Sequence, residues 1–195
     1  MPAIVEHKGE VHLLGGSFLP TWMVYNCDQS EWRQMWPNMR EGRSGSCAAV
    51  VQGKFYVLGG QTIADKCGVK SCEMFDESKQ CWIKIPSMTT GRSLFATVVM
   101  DNQIYVLGGQ DEDGQSTNKC EKYCPHLGQW IHLPDMLYPR QSHVAVVLDQ
   151  VVFVIGGNTE TAEWFDTESM SWIQSSSLPH VATGLGGCVI NWQKP

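Results

Sequence analysis

The sequence predicts an all-β chain, a β-propeller of about four four-stranded antiparallel blades, and three observations predict it. A Gly-Gly doublet recurs at 15–16, 59–60, 108–109 and 156–157, at spacings of 44, 49 and 48 residues. After each doublet comes an aromatic and, seven residues later, a tryptophan: Tyr25/Trp32, Phe75/Trp82, Tyr123/Trp130 and Phe165/Trp172. No segment sustains the apolar period of a helix.

Each repeat reads as strands a to d. Strand a is a small or β-branched run: Ala3-Ile4-Val5, Cys47 to Val51, Ala96 to Met100 and Ala145 to Leu148. Strand b ends at the doublet, as in Val11 to Leu14, Phe55 to Leu58, Ile104 to Leu107 and Val151 to Ile155. Short polar links such as Gln52-Gly53 and Asp101-Asn102 suit tight a–b hairpins. Strand c carries the first aromatic and strand d the tryptophan. A proline follows at Pro37, Pro86, Pro134 and Pro179, and an arginine opens three rows at Arg43, Arg92 and Arg140. The rows run over 1–42, 43–91, 92–139 and 140–184, and Gly186 to Ile190 lies in a closing strand at 185–192. All belong to one domain, 1–195.

Strands a and b are nearly continuous in apolar residues, which is how strands buried on both faces read. One such sheet cannot bury two faces alone, whereas sheets stacked around an axis can. The doublets then serve close backbone approach, and the aromatic–tryptophan pairs fill the wedge between sheets.

Composition narrows the function. The chain has a net charge of −6. That argues against a nucleic-acid partner held by a basic face. Apolar runs of about five residues are far short of the roughly 20 a membrane helix needs. No signal peptide is read at the N-terminus, and a cytoplasmic location, with the nucleus as the alternative, is expected. The eight cysteines are expected as reduced thiols. Their spacings, and six histidines without HxxxH or HExxH, point to no metal and no cofactor.

Gly-Gly, then Tyr or Phe, then Trp seven residues on, at a period near 48, resembles the kelch repeat over essentially the whole chain. Arg43-Ser44-Gly45, Pro86-Ser87-Met88 and Pro134-Asp135-Met136 resemble the kelch-like subfamily most. There a propeller usually follows BTB and BACK domains, so the resemblance implies substrate recognition for a cullin-RING ubiquitin ligase. No BTB or BACK segment is read here, and cullin recruitment is not assigned to this chain. Kelch propellers commonly hold six blades. Four rows therefore stand either as the last four of a larger ring or as a small ring of their own.

In such blades the b–c and d–a loops gather on one face, where binding residues concentrate. The b–c loops vary most in length: Gln61 to Ser71, Gln110 to Lys119 and Asn158 to Thr161. The resemblance implies that the two positions after the repeat arginine touch a bound peptide, which transfers to Ser44, Ser93 and Gln141, with Ser142 and His143 beside them. Arg43, Arg92 and Arg140 could form a positive rim for a carboxylate-rich segment. Alternatively they pair inside the blade with Glu73, Glu121 and Glu163, each two residues before the strand-c aromatic. Row one has Met23 at the glutamate position, and Leu185 is read at the terminal arginine position. Asp111-Glu112-Asp113 reads as a solvated turn.

The expected function is a protein-interaction module that binds a partner protein through the b–c and d–a loop face. An actin-binding or cytoskeletal kelch protein is the alternative. A kelch-type enzyme is disfavoured, because strand-a starts offer Ser, Leu, Gln and Gly, with His143 the lone ligand candidate.

Overall fold

The computed structural model describes residues 1–184, and the expected closing strand at 185–192, Leu185 included, lies outside them. Sixteen strands form four antiparallel sheets, each in simple chain order. Blade 1 is β1 (Ala3–His7), β2 (Glu10–Leu14), β3 (Trp22–Asn26) and β4 (Glu31–Gln34). Blade 2 is β5 (Cys47–Val51), β6 (Lys54–Leu58), β7 (Cys72–Asp76) and β8 (Cys81–Ile85). Blade 3 is β9 (Ala96–Met100), β10 (Gln103–Leu107), β11 (Cys120–Cys124) and β12 (Gln129–Leu133). Blade 4 is β13 (Val144–Leu148), β14 (Val151–Ile155), β15 (Ala162–Asp166) and β16 (Ser171–Gln174). The described residues contain no helix long and apolar enough to cross a membrane.

The hairpins form where the chain can take two successive positive φ angles. Gln52 and Gly53 sit at 50° and 76°, Asp101 and Asn102 at 51° and 57°. That pair of angles matches the twist of the strands it joins. The resulting register places Val50 opposite Phe55 and Val99 opposite Ile104.

Alternation then sends successive side chains to two different neighbours. One cluster joins blades 1 and 2, with Leu14, Trp22 and Val24 against Phe55, Val57 and Trp82. A second joins blades 2 and 3 through Tyr56, Leu58 and Met88 against Ile104, Val106 and Tyr123. A third joins blades 3 and 4 through Tyr105, Leu107 and Met136 against Val152, Phe165 and Trp172. Blades 2, 3 and 4 thus each offer their aromatic–tryptophan pair to the blade before them. The indole also donates across the same boundary: Trp82 to the Pro37 carbonyl at 3.1 Å, Trp130 to Pro86 at 2.7 Å and Trp172 to Pro134 at 2.9 Å.

No apolar cluster joins blade 4 to blade 1 among the described residues. The outer face of blade 1 shows the consequence: Trp32 is 49% exposed, against 2% for Trp82 at the same place in blade 2. Blade 1 has its own first strand in β1, so the described residues need no strand from the other end of the chain to complete it.

Two sequence alignments need correction. The amide of Gly157 bonds to the Ala182 carbonyl, as those of Gly60 and Gly109 bond to Arg92 and Arg140. Ala182, not Leu185, therefore occupies the arginine position of the last loop. In the same register Leu178 donates to Glu160 as Met88 does to Lys70. Leu178 stands where the other rows carry methionine, and Pro179 lies out of step with Pro37, Pro86 and Pro134.

Candidate functional site: the loop face around the axis

The loop face is built from a buried ionic clamp upward. Each repeat arginine enters from the d–a loop and binds the end of strand b and the start of strand c. Arg92 donates to the carbonyls of Gly108 and Lys119 at 2.7 and 2.8 Å, and to Glu121 at 2.9 Å. Arg43 does the same with Gly59, Ser71 and Glu73, and Arg140 with Gly156, Thr161 and Glu163. The carboxylates reach the incoming loop as well: Glu73 accepts from the Arg40 amide at 2.8 Å, Glu121 from Thr89 at 2.9 Å and Glu163 from Leu137 at 2.7 Å. Both loop types are thereby held to one blade by one charge pair.

The glycine doublet makes room for the d–a loops that pack against it. Gly59 and Gly60 have φ of 54° and 92°, and a Cβ on Gly60 would meet the Ser46 Cβ at 2.8 Å. Only glycine accepts that path without displacing its neighbour.

Above the clamp, the residue two after each arginine links the blades around the axis. The Gly45 amide donates to the Met1 carbonyl, Leu94 to Gly45, Ser142 to Leu94 and Gly184 to Ser142, all at 2.8–2.9 Å. Gly45, Leu94, Ser142 and Gly184 all hold positive φ, between 53° and 67°. Leu94 and Ser142 accept the left-handed conformation although they are not glycine, a strain of about 1 kcal/mol each. Ser44 and Ser93 meanwhile bridge Gln61 and Gln110, the residues that follow the doublets.

Depth decides what this face can offer. Of the eight residues expected to face a partner, Arg43, Arg92, Arg140, Ser93 and His143 are buried. The arginines, at 0% exposure, spend their charge inside the blade. Of the two expected roles the observed one is the internal pairing: these side chains are held by Glu73, Glu121 and Glu163 beneath the face. His143 lies between the doublets of blades 3 and 4, its Cβ against Gly157 and its ring against Gly108. Among the described residues neither ring nitrogen has a well-formed hydrogen bond; burial, then Arg140, pushes its pKa down to about 3, with the Leu107 backbone opposing. Ser44, Gln141 and Ser142 remain half-exposed, with Leu94 between them. Ser44 Oγ accepts from the Met1 amine at 2.8 Å.

Two features of the face escaped the sequence reading. Gln61 and Gln110 could have been found, since each directly follows a doublet. The groove between the b–c loops of blades 1 and 2, lined by Phe18 and Ile63, carries no repeat signal. Among the described residues no group of three His, Cys, Asp or Glu is placed to hold a metal ion. Burial pushes the Cys72 and Cys120 thiols up to about 12, which suits packing rather than nucleophilic work.

Stacked four-stranded blades, with variable loops gathered over buried arginine–glutamate clamps, define a repeat β-propeller with one loop-bearing face. The chain belongs to the kelch-repeat family: the model of the KLHDC2/KLHL20/DRC7 Kelch-repeats domain matches residues 3–190. Among curated proteins it is similar to the F-box/kelch-repeat protein At4g29370 of Arabidopsis thaliana, 35% identical over 82 residues. That match takes in 42% of this chain and 20% of the Arabidopsis protein. Among solved structures, that of YjhT superposes with a TM-score of 0.79 at 15% identity, over 91% of this chain and 65% of YjhT. That likeness concerns the fold.

Proposed function

We propose that the chain is a protein-interaction module that receives a partner polypeptide on the b–c and d–a loop face, without catalysis of its own. The observation that carries this reading is the division of labour in each repeat. Buried clamps and glycine doublets hold a rigid base, and loops of different length and chemistry stand on it. Rigid scaffolds with variable loops suit recognition, because little ordering entropy is lost on binding.

The accessible side chains of the mouth, Ser44, Leu94, Gln141 and Ser142, carry no charge. Recognition there rests on hydrogen bonds and shape, not on ion pairing with the arginines. The finer reading is substrate recognition for a cullin-RING ubiquitin ligase. It is supported by the likeness to kelch-like sequences and by the pairing of kelch repeats with an F-box in the Arabidopsis relative.

The test is affinity capture with wild type and with a Ser44→Ala/Gln141→Ala variant, with Lys54→Ala on the opposite, hairpin end as control. Loss of specific partners in the double variant alone supports the reading. A partner set indifferent to the double variant moves the site off the mouth. Recovery of cullin-RING components with wild type tests the finer reading.

A further inference from the structure

The loop face has two chemically different halves. Over blades 1 and 2 lies a groove of about 250 Å³, lined by Phe18, Glu41, Gly42, Thr62, Ile63 and Ala64. Ile63 is 76% exposed and the neighbouring Leu19 54%. The groove walls are built. Thr62 and Asp65 exchange two hydrogen bonds, at 2.8 and 3.0 Å, closing a turn that holds Ile63 outward. On the other wall Gly42 lies under the Phe18 carbonyl, which a Cβ would meet, so any side chain at 42 would displace that wall. An exposed apolar patch on a preformed wall marks an interaction site.

Over blades 3 and 4 the b–c loops carry Asp111, Glu112, Asp113 and Glu160, and their one cation, Lys119, is paired with Asp135. The two loops are tied by Asn158, which donates to Ser116 Oγ at 2.9 Å. Glu112 is answered by Lys70 at 3.3 Å. Asp111, Asp113 and Glu160 have no cationic partner among the described ion pairs, and the arginines beneath are paired inside their blades. Charge complementarity therefore selects the occupant.

We infer that the loop face takes an extended polypeptide whose apolar side chain seats in the Phe18–Ile63 groove and whose basic side chains lie over Asp113 and Glu160. The polar side chains of the mouth, Ser44 and Gln141, are crossed between them. This rests on the reading of the loop face as the partner surface, and adds the partner's chemistry to it.

The test uses fluorescein-labelled peptides of about 12 residues, long enough to reach across a blade-sized face. Each holds two leucines at one end, a Gly-Ser spacer and three lysines at the other, in both chain directions. Analogues replace the lysines by glutamates or the leucines by serines. Fluorescence anisotropy should show the apolar–basic probe, in one direction, binding at least about tenfold more tightly than either analogue. Ile63→Asp and Glu160→Lys should each weaken it by roughly tenfold, with the melting temperature unchanged. Equal binding of the acidic analogue, no binding of any probe, or indifference to both variants would overturn the inference. A captured partner lost in Ser44→Ala/Gln141→Ala but kept in Ile63→Asp and Glu160→Lys also overturns it, and leaves the module reading standing.

Discussion

The guanidinium of Arg92 and the carboxylate of Glu121 meet at 2.9 Å, with side chains 1% and 0% exposed. The pair joins three pieces of chain. Arg92 comes from the d–a loop, the Gly108 and Lys119 carbonyls it holds end strand b and begin strand c, and Glu121 reaches back to the Thr89 amide and hydroxyl. Both charges are out of water, so each depends on the other.

Removing one partner strands the other charge. Glu121→Ala should cost about 3–5 kcal/mol of unfolding free energy, and Arg92→Ala a similar amount. The Arg92→Ala/Glu121→Ala double variant should cost clearly less than the two single losses together, because neither charge is left alone. Urea denaturation of the four proteins measures this. Additive losses would mean that the pair is not coupled.

Acid should loosen the blade 3–blade 4 boundary. His143 is buried and neutral, with a folded pKa of about 3 against an ordinary value of 6.5. Between those values the unfolded chain binds the proton and the folded chain does not. Stability is therefore full above pH 6.5 and falls as the pH drops toward 3, by about 1.4 kcal/mol per pH unit for this group. His12 shifts in the same direction, mainly through burial, with Glu10 opposing and His7 and Arg33 adding. Its Nδ1 accepts from Trp22 Nε1 at 3.0 Å, a bond that protonation of Nδ1 would end. Phe95 fills in blade 3 the place of His143, its ring against Gly59. His143→Phe should therefore flatten the stability–pH curve between pH 6.5 and 5, and His143→Phe/His12→Tyr should flatten it further. Parallel curves for wild type and variants would refute the assignment.

The doublets should separate two costs that glycine replacement usually mixes. Gly109 has φ 102° and an added Cβ would lie 2.7 Å from the Phe95 Cβ and from the Ser93 carbonyl oxygen. Gly53 has φ 76° with nothing within 4 Å. Gly53→Ala carries conformational strain alone, about 1 kcal/mol. Gly109→Ala adds a clash with backbone that cannot move aside, and should cost at least about 3 kcal/mol. Comparing urea midpoints at equal slope decides it; equal losses would show that the doublets answer to turn geometry and not to close packing.

What the sequence made legible was whatever repeats. Trp82, Trp130 and Trp172 recur because each must fill a wedge and reach a carbonyl of the preceding blade, so their offsets stay constant. The pairing of Arg43, Arg92 and Arg140 with the glutamates could be read as one of two alternatives, and the structure selects it. Depth could not be read. Ser44 and Ser93 occupy equivalent places in the repeat, yet one is half-exposed and the other buried, and no difference in their own residue type marks it. The Phe18–Ile63 groove was hidden because it carries no repeat signal. Register at the end of the chain slipped because Ala182 and Leu178 lack the arginine and methionine that mark it elsewhere.

The same tryptophan position should matter very differently in two blades. Trp82 is 2% exposed, packs edge-on to Trp22 at 5.5 Å between ring centres, and donates its indole proton to Pro37 across the blade boundary. Trp32 meets its own strand-c aromatic, Tyr25, at 5.1 Å, as Trp82 meets Phe75 at 5.6 Å, but is 49% exposed. Trp82→Ala removes both a wedge and a hydrogen bond, and should cost about 3–5 kcal/mol. Trp32→Ala removes a ring that is half in water already, and should cost about 1 kcal/mol. Chemical denaturation of the two variants, with matching intrinsic fluorescence shifts, reads the difference directly. A large loss at Trp32 would mean that in solution the outer face of blade 1 is covered.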